Sequence, residues 1–188
     1  MIVGDGPAAP ATRRLFFALW PDESTRTALV QATRKAVRRS GGRPVPQANY
    51  HVTLAFLGNQ PVERYDAIVA AAATLTPRPI QLELDRFGYW PRPRVFWLGP
   101  ARCPEALAGL ADALWTAMTP LGLARETRPY RPHVTLARKV VALPEVESPT
   151  PLIWQASEFA LIESVTDERG ARYTVAARFS SGSPHDPN

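Results

Sequence analysis

The chain is short of the residues that support disulfide and metal chemistry. Its 188 residues include one cysteine, Cys103, so an internal disulfide framework is impossible. Histidine occurs three times, at His51, His133 and His185, and the last of these lies in a polar terminal stretch. A zinc site of histidine and cysteine ligands would need almost all of these residues. We therefore expect neither a metal nor another cofactor.

Long apolar runs are also absent from the sequence. No segment reaches the roughly 20 apolar residues that a membrane-spanning helix needs, so we expect no membrane partner. Residues 1–12 lack the basic start and the apolar core of a secretory signal. A single cysteine and no export signal favour the reducing cytoplasm. We expect a monomer without an obligate protein partner, because no coiled-coil pattern or exposed apolar stripe demands one.

Lysine is nearly missing as well, although the chain is basic. The net charge is +5, and all but two of the 22 basic residues, Lys35 and Lys139, are arginines. The planar guanidinium suits bidentate recognition of phosphate. The chain also has 20 prolines, so its composition is biased in general and the arginine count alone is weak evidence for an anionic ligand. The basic balance favours acidic partners without naming one.

The order of the predicted elements repeats once along the chain. A strand, a helix, a proline-containing loop and a second strand occupy about 14–57, and the same order recurs over about 94–136. The last strand of each copy carries the tetrapeptide His-Val-Thr-Leu, at 51–54 and at 133–136. An internal repeat of two copies predicts a pair of lobes related by a pseudo-twofold axis.

Each copy is followed by elements of its own. We predict a helix over 62–75, a strand over 80–87 and a strand pair over 158–165 and 172–179, with a turn at 167–170. Mixed helices and sequential strands predict an α+β fold of antiparallel sheets with helices on the outer faces. We expect one bilobal domain over 13–179, with flexible tails at 1–12 and 180–188.

The two tetrapeptides carry the candidate chemistry. Side chains of a strand alternate between its faces, so His51 and Thr53 share one face while Val52 and Leu54 anchor the other. His133 and Thr135 repeat this arrangement. A pseudo-twofold axis between the lobes would bring both pairs to one groove.

Two imidazoles and two hydroxyls suit displacement at phosphorus without a metal. With an ordinary pKa near 6.5, a neutral imidazole can accept a proton from water and an imidazolium can give one to a leaving oxygen. A threonine hydroxyl can donate a hydrogen bond to a non-bridging phosphoryl oxygen, where charge develops. A lone histidine in a strand is more often structural. Two of the three histidines at equivalent positions of a repeat favour a shared functional site.

The paired motifs resemble those of the two-histidine phosphoesterase superfamily, and their surroundings resemble its LigT-like RNA 2′,3′-cyclic phosphodiesterase branch, formerly called 2′-5′ RNA ligase. The segments that carry the resemblance are 14–19, 49–58 and 131–138. The resemblance implies a bilobal fold with a central groove between two antiparallel sheets. It implies that RNA ends or nucleotides with a 2′,3′-cyclic phosphate are hydrolysed to 2′-phosphomonoesters without metal.

The resemblance also implies roles for individual residues. His51 would donate a proton to the leaving 3′ oxygen, and His133 would accept a proton from the attacking water. Thr53 and Thr135 would hold the phosphoryl oxygens. The near-symmetry of the two motifs does not by itself decide which histidine is the donor and which is the base.

Four more residues are candidates for binding substrate. By resemblance, Phe56 stacks on the substrate base and Arg138 contacts phosphate. Strict alternation puts both on the core face, and only a bulge or a strand end would turn them into the groove. Tyr130 and Arg131 precede the second motif and would line the mouth of the groove. The aromatic and basic segment 88–94 is expected to be a loop that contacts RNA or a plain surface turn.

Two other functions stay open at this point. A related two-histidine enzyme could act on 2′-5′ linkages or on cyclic phosphates of ADP-ribose, or join RNA ends, and pocket residues beyond the motifs decide between these substrates. A non-catalytic module that binds RNA ends would show salt-dependent affinity and no turnover. The intact motifs argue against the binding module, since binding alone does not need two proton-transfer groups.

Overall fold

The computed structural model describes residues 11–167 and 170–180 of the chain. The strands in this part are β1 (Thr12–Leu19), β2 (Arg43–Pro44), β3 (Val52–Pro61), β4 (Ile80–Leu84), β5 (Arg86–Trp90), β6 (Val95–Gly99), β7 (Val134–Arg138), β8 (Leu152–Ala156), β9 (Glu158–Asp167) and β10 (Gly170–Ser180). The α-helices are α1 (Glu23–Arg39), α2 (Tyr65–Ala73) and α3 (Glu105–Met118). Short 3₁₀ turns lie at Gln47–Asn49, Val62–Arg64 and Thr119–Leu121.

The large antiparallel sheet follows the predicted repeat. Its strand order is β10-β9-β1-β3-β7-β6-β5, and β2 adds to β7. Within the first copy β1 pairs with β3, and within the second β6 pairs with β7. The two halves join where Val52 pairs with Val134. The predicted α+β fold is confirmed, and the two sheet halves form one continuous eight-stranded sheet across both lobes.

The helices cover one face of this sheet. Asp22 caps α1 by accepting a hydrogen bond from the backbone N–H of Thr25 at 2.7 Å, and basic residues close the last turn of the helix. Leu29 of α1 and Leu107 of α3 are fully buried in the main core, together with Trp154 from the small β4–β8 sheet. The opposite face of the large sheet is therefore left to form the groove.

Several elements differ from the sequence predictions. The strand expected over 80–87 breaks at Asp85, whose carboxylate accepts from the backbone N–H of Ala101, and β5 begins at Arg86. The expectation of a loop at 88–94 is wrong for 88–90, which belong to β5, and the turn occupies 91–94. β8 was not predicted.

The ends of the described structure lie close to the predicted domain limits. β1 begins at Thr12 and β10 ends at Ser180, each one residue beyond the predicted limit of 13–179. The rest of the predicted tails, 1–10 and 181–188, lies outside the described residues, as do Glu168 and Arg169 of the predicted turn.

Candidate active site

Both tetrapeptides lie at the junction of the two lobes. Val52 and Val134 pair there, and both side chains are fully buried in the core. Neighbouring residues on each strand must then face the groove, and the antiparallel register carries each histidine towards the threonine of the other motif. The register brings these four polar residues together at the centre of the groove face: His51, Thr53, His133 and Thr135.

His51 is held by both of its ring nitrogens. Its Nδ1 lies 2.7 Å from the carbonyl oxygen of Asn49, and its Nε2 lies 3.1 Å from Oγ1 of Thr53. A carbonyl oxygen only accepts hydrogen bonds, so Nδ1 carries the proton of the neutral ring and the lone pair of Nε2 accepts from the Thr53 hydroxyl. The side chain of Asn49 donates to the carbonyl of Ala171 at 2.7 Å, which anchors this support to β10.

His133 has the same arrangement in the second lobe. Its Nδ1 donates to the carbonyl oxygen of Arg131 at 2.9 Å, which leaves Nε2 free for proton transfer. The edge of Trp90 lies against the ring, with the centroids 4.4 Å apart, and Trp97 lies 6.4 Å away. The pseudo-twofold axis thus relates two imidazoles of the same tautomer.

Burial among aromatic rings disfavours the charged form of both imidazoles. The ring centroids of Phe16, Tyr173 and Trp20 lie 4.9, 5.3 and 5.9 Å from that of His51. Burial lowers the pKa of His51 to about 4, the hydrogen bond to Asn49 opposes this shift, and the positive charge of Arg138 adds to it. Burial also lowers the pKa of His133, and Arg138 adds to that effect. Proton transfer therefore needs a bound group that raises one of these pKa values.

A bulge in β3 turns Phe56 into the groove. Phe17 pairs with Ala55 and Ala18 with Thr53, so Leu54 is an extra residue in β3. The alternation restarts after it, Ala55 lies in the core, and Phe56 is 36% exposed. The core-facing orientation expected from strict alternation is wrong here.

A bulge also occurs in β7 at the equivalent position. Trp97 pairs with Thr135 and Phe96 with Ala137, so Leu136 is the extra residue. Arg138 is consequently exposed on the groove side and not in the core. Its charge acts to lower the pKa of both histidines. The fifth residue after each histidine thus faces the site because both strands bulge.

Arg14 lies beside Phe56 on the first lobe. The guanidinium carbon of Arg14 lies 4.8 Å from the centroid of the Phe56 ring, a cation–π contact. Arg14 shares the groove-facing side of β1 with Phe16 and Ala18, because residues two apart point to the same face. A flat surface with a positive charge beside it therefore forms one wall of the groove.

Tyr130 and Arg131 serve the second motif in different ways. The hydroxyl of Tyr130 donates to the carbonyl oxygen of Thr53 at 3.1 Å and so ties the loop before His133 to β3. Burial raises the pKa of Tyr130 well above its ordinary value, so the hydroxyl stays a donor. Arg131 offers its carbonyl to His133 and its exposed side chain to the groove mouth.

The sequence patterns did not predict the aromatic shell around the histidines. Its members are Phe16, Trp20, Trp90, Trp97 and Tyr173. Apolar residues fill both faces of β1, so no alternation distinguishes groove from core in that strand. The one signal is the even spacing of Phe16 in β1 and Trp20 just after it, which places both on the same face of an extended chain.

Two classes of site have no counterpart in the described part of the chain. In residues 11–167 and 170–180, no three histidine, cysteine, aspartate or glutamate side chains cluster as a metal-binding set. The helices described there are all too short or too polar to cross a membrane.

Comparisons with known proteins match the whole described fold. The family model of LigT-like phosphoesterases matches residues 19–97. The RNA 2′,3′-cyclic phosphodiesterase of Thermus thermophilus is 35% identical over 185 residues, covering 92% of each chain. The Escherichia coli protein of the same name is 33% identical, covering 89% of this chain and 96% of its own. The crystal structure of Escherichia coli LigT with 3′-AMP superposes with a TM-score of 0.83 at 32% identity, covering 92% of this chain and 100% of its own.

Proposed function

Because the chain belongs to the LigT-like phosphoesterase family and hydrolyses RNA 2′,3′-cyclic phosphodiesters, we propose that His51 and His133 are the acid and the base of this reaction. The observation that supports the proposal most is the junction at Val52 and Val134. It brings to one groove two imidazoles that each bond a backbone carbonyl through Nδ1.

The reaction needs a base that takes a proton from the attacking water and an acid that gives a proton to the leaving 3′ oxygen. His133 Nε2 accepts a proton from a water molecule, whose oxygen attacks phosphorus. The bond between phosphorus and the 3′ oxygen breaks, and His51 Nε2–H gives its proton to that oxygen. The product is a 2′-phosphomonoester with a free 3′ hydroxyl. His51 then carries one proton fewer and His133 one more, and exchange with solvent restores both.

The bound phosphate supplies a negative charge next to the histidines. An anion close to an imidazole favours the charged form, so the substrate raises the pKa of His51 from its low value and allows it to carry the donated proton. Thr53 Oγ1 gives up its contact with His51 Nε2 and donates to a non-bridging oxygen instead. Thr135 donates to the phosphoryl group from the other lobe. Arg138 pairs with the remaining negative charge.

The first lobe offers a place for the terminal base. Phe56 presents an exposed ring on the groove face, and base-to-aromatic stacking tolerates any of the four bases. This contact fixes the ribose so that its 2′,3′ edge lies between the histidines. Substrates then include mononucleotides with a 2′,3′-cyclic phosphate as well as RNA ends.

The chain is proposed to act alone. All four motif residues come from one polypeptide, and one core and one continuous sheet join both lobes, which supports a monomeric domain over 13–179. The exposed, unpaired Cys103 fits the reducing cytoplasm. Light scattering after size exclusion should give the mass of one chain, and cell fractionation should place the protein with soluble cytoplasmic markers.

Hydrolysis of adenosine 2′,3′-cyclic phosphate in the presence of a chelator tests this function. The expected product is adenosine 2′-phosphate, identified by chromatography against both isomers. A 3′-phosphate product would reverse the assignment of the leaving oxygen. Turnover that stops in chelator and returns with a divalent cation would overturn the metal-free mechanism, and binding without turnover would favour a non-catalytic module.

A further inference from the structure

A cavity of about 430 Å³ opens beside His133 in the second lobe. Its wall includes Arg86, Trp90, Trp97, Tyr130, Arg131 and Pro132. Trp90 and Trp97 also contact the ring of His133, so the cavity and the catalytic centre share a wall. Ligand pockets for small molecules commonly have volumes of roughly 300–1,000 Å³, and this cavity lies in that range.

The lining of the cavity suits an anion with a flat ring. Arg86 and Arg131 contribute two guanidinium groups, and no acidic side chain lines the cavity within the described part of the chain. The Nε1 atom of Trp97 is buried without a hydrogen-bond partner among the described residues. An indole N–H can only donate, so an acceptor atom on a ligand would satisfy it. The half-exposed ring of Trp90 offers a stacking surface.

The covalent structure of ribose separates the base from the rest of an RNA strand. The base is attached to C1′, and the 5′ chain leaves through C4′ at the other end of the sugar ring. With the base on Phe56, the 5′ phosphodiester therefore points away from Phe56. The cavity adjoins the catalytic centre through Trp90 and Trp97 and carries two guanidinium groups, so its position and charge suit this phosphodiester.

We propose that this cavity binds the nucleotide immediately 5′ of the cyclic phosphate end. The proposal rests on the proposed function and names its substrate more closely, as an RNA end of two or more nucleotides. Arg86 and Arg131 contact the phosphodiester, Trp90 stacks on the second base, and Trp97 Nε1 donates to an acceptor of that nucleotide. The cavity thereby sets a preference for oligonucleotides over mononucleotides.

The preference is measured as a ratio of kcat/KM values. The substrates are a diadenylate that ends in a 2′,3′-cyclic phosphate and adenosine 2′,3′-cyclic phosphate. The native chain should favour the dinucleotide by tenfold or more, about what one charge-assisted contact supplies. A third substrate, adenosine 5′-phosphate with the same 2′,3′-cyclic end, has the 5′ phosphate but no second base. Its kcat/KM value separates the contribution of the phosphate to the preference from that of the second base.

Two variants and one control locate the preference. Arg86→Ala and Trp97→Phe should each lower the ratio several-fold, because the first removes a cation and the second removes the N–H together with part of the indole ring. Arg34→Ala makes the same charge change on exposed α1, on the other side of the sheet, and should keep the native ratio. If circular dichroism shows that Trp97→Phe fails to fold, the ratio measured for Arg86→Ala alone decides whether the cavity sets the preference.

The measurements distinguish a wrong cavity proposal from a wrong assignment of the function. Hydrolysis of both substrates with equal kcat/KM would overturn the cavity proposal and leave the function standing. No hydrolysis of either would overturn the function, and calorimetry would then decide on the cavity. A 2′-phosphorylated dinucleotide that binds tenfold tighter than adenosine 2′-phosphate supports the cavity, and equal Kd values overturn it.

Discussion

Gly88→Ala is expected to impair His133 from a distance, through the tryptophan that lies against it. Gly88 pairs with Trp97 across β5 and β6, and a Cβ at position 88 would lie 2.0 Å from Cζ2 of Trp97. The other end of the indole already lies against Gly99, where an added Cβ would be 3.0 Å from Cζ3. The ring is therefore confined between two glycines and has little room to move.

The size of the effect follows from that overlap. Ordinary carbon contacts begin near 3.4 Å, so the indole must shift by more than about 1 Å. Overpacking of this kind costs about 1–3 kcal/mol of unfolding free energy. A displacement of about 1 Å next to a proton-transfer group lowers kcat/KM by about 100-fold.

The assay compares two glycine-to-alanine variants in urea unfolding and in hydrolysis of adenosine 2′,3′-cyclic phosphate. Gly109 lies in α3 with nothing within 4 Å of an added Cβ. Gly109→Ala should therefore stabilise the chain by about 0.5–1 kcal/mol and leave turnover unchanged. A Gly88→Ala variant as stable and as active as the native chain would refute the role of Trp97 in supporting His133.

Three further variants test the electrostatics and the tie between the lobes. Trp20→Ala admits water to His51 and raises its pKa from about 4 towards 6.5, so the limb of the kcat/KM profile that reports this donor should move to higher pH; an unmoved limb contradicts the role of burial. Arg138→Ala should lower kcat/KM by about 10- to 100-fold through the lost charge-assisted contact, and full activity would exclude that contact. Tyr130→Phe removes the hydrogen bond to the Thr53 carbonyl and should cost about 1 kcal/mol in urea unfolding, whereas an unchanged midpoint would show that the tie contributes nothing.

Local patterns in the sequence were sufficient for the repeated frame. Asp22 directly precedes α1 and caps it, and Gly122 closes the turn after α3 with a φ of 73°. The His-Val-Thr-Leu alternation correctly put Val52 and Val134 in the core. These features depend on neighbours within one turn or one strand, and such neighbours are visible in a single sequence.

The groove face needed information that a strand pattern does not contain. Phe56 and Arg138 reach it through bulges that exist only in the pairing of β3 with β1 and of β7 with β6. β8 forms by pairing with β4, which lies about 70 residues earlier in the chain, and its own sequence has no clear alternation. Long-range pairing also brings Trp90 to His133. Sequence spacing gives no sign of these contacts.

The donor role of His51 is the central claim, and a substrate with sulfur at the 3′ position tests it most directly. A thiolate leaves without protonation, because a thiol has a pKa near 8.5, far below that of an alcohol. The measurement compares hydrolysis of the 3′-oxygen and 3′-sulfur cyclic substrates by His51→Ala and His133→Ala, which make the same change at the two symmetric positions.

The two-histidine mechanism predicts that His51→Ala loses about 10²- to 10⁴-fold on the oxygen substrate and recovers most of this loss on the sulfur substrate. His133→Ala should lose a comparable factor on both, since the attacking water still needs a base. Rescue of His133→Ala instead of His51→Ala would exchange the two roles, and full activity of either variant on the oxygen substrate would contradict the mechanism.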